Sequence, residues 1–316
     1  MMNTPIASAA LAAALLSATA LQAQTLDKPL VSAQELATLL ESEDVAVLDI
    51  RAPEGSDSYA EGHVEGAVNA PYALFRGPED NPGQLPSEEQ LTETLRNLGL
   101  TEDRPLVITY QGSDETDFGA AARVYWTMKS AGIDDLAILN GGLNAWTEAG
   151  LELDDAAVTP QPSDITVTWD DTWTASVDDV QAAIDGETDT QLVDARPESF
   201  WKGEQAHPAA ARPGTLPQSR FFVHSSWFSD GPAIVDAEAA RKLAQENDLI
   251  GSENLISFCN TGHWAATNWF AMSELAGIEN VKLYPESMVG WSNAGRDMAN
   301  APGRIQHLWT QIKNVF

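Results

Sequence analysis

The chain has 316 residues, 43% of them hydrophobic, with 47 acidic against 17 basic side chains and a formal charge of −30. That length accommodates two domains of roughly 100 to 200 residues each, with enough apolar sequence to build folded cores. So acidic a chain repels phosphate backbones and anionic bilayers, which excludes nucleic acid and anionic membrane surfaces as partners.

From the amino end, residues 1–23 carry no Lys or Arg, an apolar stretch from Ile6 to Leu21, and small residues at Ala18, Ala20 and Ala23. The pattern reads as a secretory signal peptide, because the stretch is shorter than the roughly 20 residues needed to span a bilayer. The mature protein is therefore expected to be periplasmic or secreted, with no membrane attachment once the signal is removed. A first domain is expected over residues 24–152. Within it, Val45–Ile50, Leu106–Tyr110 and Leu136–Leu139 are apolar runs of buried-strand type, and Ala33–Leu40, Glu88–Leu98 and Ala120–Ala131 have helical patterns. Strands alternating with helices predict an α/β fold, a parallel sheet flanked by helices with ligands at the strand ends. The acidic run Ser113–Asp117 reads as a solvated loop and Asn140-Gly141-Gly142 as a turn.

Residues 153–164 contain two prolines and little apolar periodicity, which predicts a linker, with a second domain over 165–316. That domain repeats the first. Val47-Leu48-Asp49-Ile50-Arg51 recurs as Leu192-Val193-Asp194-Ala195-Arg196, and Asp49 to Asp194, Arg51 to Arg196 and Trp146 to Trp291 are each 145 positions apart. Equal offsets at distant anchors mean a duplicated domain.

Cys259, the only cysteine, ends the apolar run Ile256-Ser257-Phe258 and opens a short loop before a helical pattern. A thiol so placed is surrounded by outward-pointing backbone N–H groups and the positive end of a helix dipole, which favours a thiolate or persulfide. The alternative is an inert core cysteine. In an exported chain a lone cysteine is a free thiol or an intermolecular partner. In the first copy the corresponding place falls on Gln111, so only one copy has a nucleophile.

The Asp-x-Arg strand end, the segment Glu61-Gly62-His63-Val64-Glu65-Gly66-Ala67-Val68-Asn69, the strand–Cys–loop–helix unit and the closing Gly-Gly-Leu-x-x-Trp together resemble the tandem-domain rhodanese family of exported bacterial type. The resemblance implies two tandem rhodanese-like domains, the N-terminal one inactive and the C-terminal one catalytic. It implies a sulfurtransferase in which Cys259 takes a sulfane sulfur from a small anionic donor, thiosulfate or 3-mercaptopyruvate. The sulfur then passes to cyanide, a small thiol or a protein thiol.

On this reading the amides from Asn260 through Thr261, Gly262, His263 and Trp264 to Ala265 hold the sulfur anion. Arg196 is the cation that the resemblance supports for the donor. Asp-x-Arg also occurs in the copy without cysteine, so Asp194 and Arg196 read equally well as a fold-stabilising ion pair, and the two roles can coexist. His263 is either a hydrogen-bond donor to substrate or a solvent-facing side chain, Trp264 either walls the pocket or packs on the neighbouring domain, and Thr261 bonds the donor or its own loop. Neutral Asn260 and Thr261 depart from thiosulfate-type loops, which are basic there, and approach the mercaptopyruvate type. Ala210–Thr215 replaces the Gly-His element in the second copy, making Arg212 a further candidate cation. The two donors therefore rank nearly equal.

Long-range repulsion of an anionic donor is limited by screening, which acts within about 8 Å at physiological salt. The histidines and the cysteine lack metal-ligand spacing and no Gly-rich nucleotide loop follows a strand, so neither metal nor cofactor is expected. A cysteine phosphatase needs an arginine six residues after the cysteine, where this chain has Ala265. A non-enzymatic persulfide carrier or redox-sensing binding protein could use the same Cys259, and it stands as the alternative.

Overall fold

The computed structural model describes residues 26–42 and 44–302, so the signal-peptide reading of residues 1–23 lies outside the described residues. The first copy runs β1 (Leu30–Val31), α1 (Ala33–Ser42), β2 (Ala46–Asp49), β3 (Val68–Asn69), α2 (Glu88–Asn97), β4 (Leu106–Thr109), α3 (Phe118–Ser130), β5 (Leu136–Leu139) and α4 (Gly142–Glu148). The second runs α5 (Val177–Ile184), β6 (Thr190–Asp194), α6 (Glu198–Trp201), β7 (Arg220–Phe221), α7 (Ala237–Glu246), β8 (Asn254–Phe258), α8 (Trp264–Phe270), β9 (Val281–Leu283) and α9 (Ser287–Asn293). Strands β2, β4 and β5 are buried at every position, as a parallel sheet covered on both faces requires. Helices begin where local chemistry satisfies their free N–H groups. Ser87 with Gln90 and Ser176 with Asp179 form reciprocal capping boxes, and Asp236 caps α7.

Every strand pair is parallel, in the orders β1-β5-β4-β2-β3 and β7-β6-β8-β9. The chain is thus an α/β protein built from two parallel sheets flanked by helices. The second sheet repeats β5-β4-β2-β3 of the first, and the place of β1 shrinks to one bridge between Thr174 and Leu283. Two-residue strands such as β1, β3 and β7 leave no periodic signal in sequence. The Asn140-Gly141-Gly142 turn also starts a helix: Gly141, at φ +82°, caps α4, and Gly142 is its first residue. Apart from one bridge, residues 153–164 carry no strand or helix and lie along the first copy. Asp154 exchanges backbone hydrogen bonds with His63, and the Ser163 N–H donates to the Arg96 carbonyl.

Register fixes which residues correspond. Asp49 pairs with Thr109, and Asp194 pairs with Phe258. The residue that follows each strand is Tyr110 or Cys259, whose carbonyl accepts from Leu143 or Met288 in turn. The place of the cysteine is therefore Tyr110, one residue before the Gln111 expected from sequence.

The two copies share a continuous apolar core in which α3 packs on α8, the helices that follow the two strand-end loops. Phe118 and Tyr125 meet Phe270 edge-on at 5.5 and 5.0 Å, and Cys259 belongs to this core.

Candidate active site

β8 carries Cys259 to the C-terminal edge of the second sheet, and α9 pins it there. The Cys259 N–H donates to Ser287 Oγ at 3.0 Å, while the Met288 and Val289 N–H groups donate to the carbonyls of Cys259 and Asn260. Ser287 stands at φ +50°, where the first copy has Gly142 at φ +63°. A side chain there costs roughly 1–2 kcal/mol of backbone strain. Its hydroxyl offsets this by accepting from Cys259 and donating to the Tyr284 carbonyl at 2.7 Å.

After the cysteine, Gly262 turns the loop at φ +72° and α8 begins at Trp264. Among the described residues no acceptor takes the backbone N–H groups of Asn260 to Ala265. The residues that bear these N–H groups follow directly on Cys259, which is 1% exposed and belongs to the interdomain core. The first turn of a helix has no internal acceptors for its N–H groups, so the unpaired set extends into α8. Such a nest favours an anion.

The first copy braces this loop. His263 Nε2 lies 2.8 Å from the Thr116 carbonyl, which can only accept, so Nε2 carries the proton and Nδ1 accepts from the Tyr72 hydroxyl at 3.0 Å. Burial, then the charge of Arg76, pushes the His263 pKa down to about 4, leaving the ring neutral at pH 7. A Cβ on Gly119 would lie 2.8 Å from the same ring, which explains glycine there. Arg123, fully buried on α3, donates through Nη1 to the Gly262 carbonyl at 3.3 Å and through Nη2 to the Gly83 carbonyl at 3.1 Å.

Arg196 is held by the fold. Its Nε and Nη2 donate to the two Asp194 carboxylate oxygens at 2.9 and 2.7 Å, Nη2 also reaches the Gly214 carbonyl, and Nη1 donates to Asn260 Oδ1 at 3.2 Å. The first copy repeats this clamp with Arg51 on Asp49, the Gly62 carbonyl and Gln111 Oε1. The geometry is thus that of the ion pair, with four of the five guanidinium N–H groups engaged. It also ties the Asn260 side chain to the clamp. Gly214-Thr215 preserves the Gly62-His63 position, since Thr215 pairs with Ala299 as His63 pairs with Asp154. Exposed Arg212 donates to the Arg296 carbonyl.

Trp264 packs on its own copy, stacked on His224 at 4.9 Å and edge-on to Phe200 at 6.0 Å. Thr261 is buried, and its hydroxyl has no partner among the described residues. No cluster of His, Cys, Asp and Glu among the described residues is arranged to hold a metal. Sequence reasoning missed Arg123, Tyr72, Thr116 and Ser287. Arg123 left one signal, a single charge in the otherwise apolar helical stretch Phe118–Trp126.

A family model described as a rhodanese-like domain matches residues 32–149 and again 176–294. The chain belongs to the rhodanese family. The chain also aligns with named relatives over most of their length. A Mycobacterium tuberculosis protein named "Putative thiosulfate sulfurtransferase SseB" is 28% identical, over 84% of this chain and 94% of the relative. The 3-mercaptopyruvate sulfurtransferase of Escherichia coli K12 is 27% identical, over 83% and 94%. The sulfur carrier protein TtuD of Thermus thermophilus is 26% identical, over 84% and 93%. Sulfur transfer is the general activity for which these rhodanese relatives are named. The fold alone is shared with the anaerobic ergothioneine biosynthesis enzyme of Chlorobium limicola, at a TM-score of 0.75 and 20% identity over 87% of this chain and 71% of that one.

Proposed function

We propose that the chain is a sulfurtransferase that carries sulfane sulfur on Cys259 as a persulfide. The observation that carries this reading is a thiol at a parallel strand end, followed by backbone N–H groups that no other acceptor uses among the described residues. The Cys259 thiolate attacks the outer sulfur of thiosulfate, whose S–S bond breaks as sulfite leaves with the electron pair. With 3-mercaptopyruvate the C–S bond breaks, and the organic fragment takes up a proton as pyruvate. Cyanide or a thiol then attacks the outer persulfide sulfur, and the thiolate returns, giving ping-pong kinetics. The nest amides stabilise the sulfur anion before and after transfer without reorganising. Neutral Asn260 and Thr261 leave both donors in play, and the acceptor is cyanide, a small thiol or a protein thiol. The apolar stretch and small residues within residues 1–23 support export to the periplasm or beyond, which fractionation of the expressing cell tests.

The test is intact mass of the mature protein after exposure to each donor, with Cys259→Ser as control and a cyanide chase. The expected result is a gain of one sulfur atom, absent in the variant and removed by cyanide. No gain from either donor overturns the reading. A second reading, a persulfide carrier loaded by a protein partner, draws on the relative named as a sulfur carrier and on the 1% exposure of the thiol. Multiple turnovers with a small donor exclude it.

A further inference from the structure

We propose that Arg123, on the copy that has no cysteine, is the counter-charge of the Cys259 sulfur anion, so that the active site is assembled from both copies. The inference rests on Cys259 being the reactive sulfur. Arg123 is 0% exposed, and among the described residues it enters no ion pair. An unpaired charge in a protein core is strongly unfavourable unless something balances it. Two backbone carbonyls and the Trp126 ring, 5.0 Å from the guanidinium carbon, balance it in part, and the buried Nε has no partner among the described residues. Burial, then the charge of Arg76, lowers its pKa to about 9, so Arg123 remains a cation at neutral pH.

Arg123 Nη1 reaches the Gly262 carbonyl at 3.3 Å, three residues past Cys259, and the ionisable groups near enough to favour its charge when they are themselves anionic include Tyr72 and Cys259. Tyr72 does not serve. Burial raises its pKa, and its hydroxyl is used as the donor to His263 Nδ1. Cys259 is left as the group whose anion Arg123 can pair with. The coupling is also mechanical. Arg123 Nη1 donates to the Gly262 carbonyl, which polarises the peptide whose N–H belongs to His263 and lies in the nest. A Cβ on Gly262 would clash with Nη1, which shows how closely the guanidinium underlies the loop.

The other charged and titratable groups around the loop do not take this role. Arg76, over the Tyr72 ring at 5.1 Å, is a second cation of the first copy, and neutral His263 and His224 carry no charge to oppose it. Asp114 and Glu115 act on His224 from the first loop, Asn81 holds Glu286 at 2.8 Å, and Asp194 and Arg196 neutralise each other.

The test compares R123Q, which keeps an amide donor without charge, with R123K, which keeps the charge. Cys259 alkylation by neutral iodoacetamide is followed against pH in the full chain, with melting curves as a folding control. In R123Q the pH of half-maximal rate is expected to rise by about one unit, the loss of about tenfold in anion stability. R123K should stay near the wild type. An unchanged profile in folded R123Q, or equal shifts in both variants, overturns the proposal. Should R123Q fail to fold, the wild type and Cys259→Ser suffice. A cation paired with the anion predicts that the wild type's stability advantage over Cys259→Ser grows from pH 6 to pH 9, and a flat difference overturns it. None of these readouts uses a sulfur donor, so failure of the sulfurtransferase reading remains separately visible.

Discussion

At the end of β4 the first copy places Tyr110, and its loop amides are already occupied: Asp117 Oδ2 accepts from the N–H groups of Gly112 at 2.8 Å and Ser113 at 3.1 Å. At the end of β8 the second copy places Cys259, and the amides that follow have no acceptor among the described residues. Seven residues separate Tyr110 from α3 and four separate Cys259 from α8, so the first loop is three residues longer. The longer loop folds its own carboxylate into its nest. Comparing the two teaches what this strand end binds. Both loops present backbone N–H groups, taken by the loop's own carboxylate in one copy and left without an acceptor among the described residues in the other.

Replacing the anion's source gives the largest expected effect: Cys259→Ser reduces sulfur transfer to background in a donor-to-cyanide assay, because the hydroxyl forms no persulfide. Next comes the clamp common to both copies. Asp194→Asn and Asp49→Asn each leave a nearly buried arginine without its carboxylate and are expected to cost about 3–5 kcal/mol in urea unfolding. Equal losses sharpen the view that Asp-x-Arg belongs to the fold, whereas a loss confined to one copy would break it.

The loop's brace has a pH signature. His263 is depressed from 6.5 to about 4 in the fold. Between those values the unfolded chain binds more protons than the native one, so stability rises with pH across that window. It is lost on acidification, by at most about 3 kcal/mol. His263→Gln should flatten this part of the stability profile, and an unchanged slope would assign it to other groups. Smallest is Asp117→Ala, which removes the acceptor of two amides at a cost of about 1–2 kcal/mol. Sulfate should raise the melting temperature of this variant more than that of the wild type if the emptied nest takes an outside anion. Equal effects would mean that it does not.

Much of the fold was legible in sequence. The runs around β2, β4 and β5 carry buried-strand patterns, and those around α1, α2 and α3 carry helical ones, because burial imposes a local period. Two-residue strands impose none. The strand–Cys259–loop unit was legible for the same reason, as a local pattern ending in a turn. The counterpart of Cys259 was misplaced by one residue. Loops of unequal length remove the sequence anchor between the copies, and only the hydrogen-bond register restores it.

The sequence by itself determined the duplication, the α/β class, and a lone thiol at a strand end, since each is written in neighbouring residues or in a constant offset of 145 positions. Tertiary structure decided the rest. Arg196, adjacent in pattern to an anion-binding role, is drawn into the Asp194 clamp. Arg123, 139 positions from Gly262, arrives beneath the cysteine loop only because α3 packs on α8. Periodicity is set by what a segment buries, whereas the partner of a buried charge is set by which segments meet.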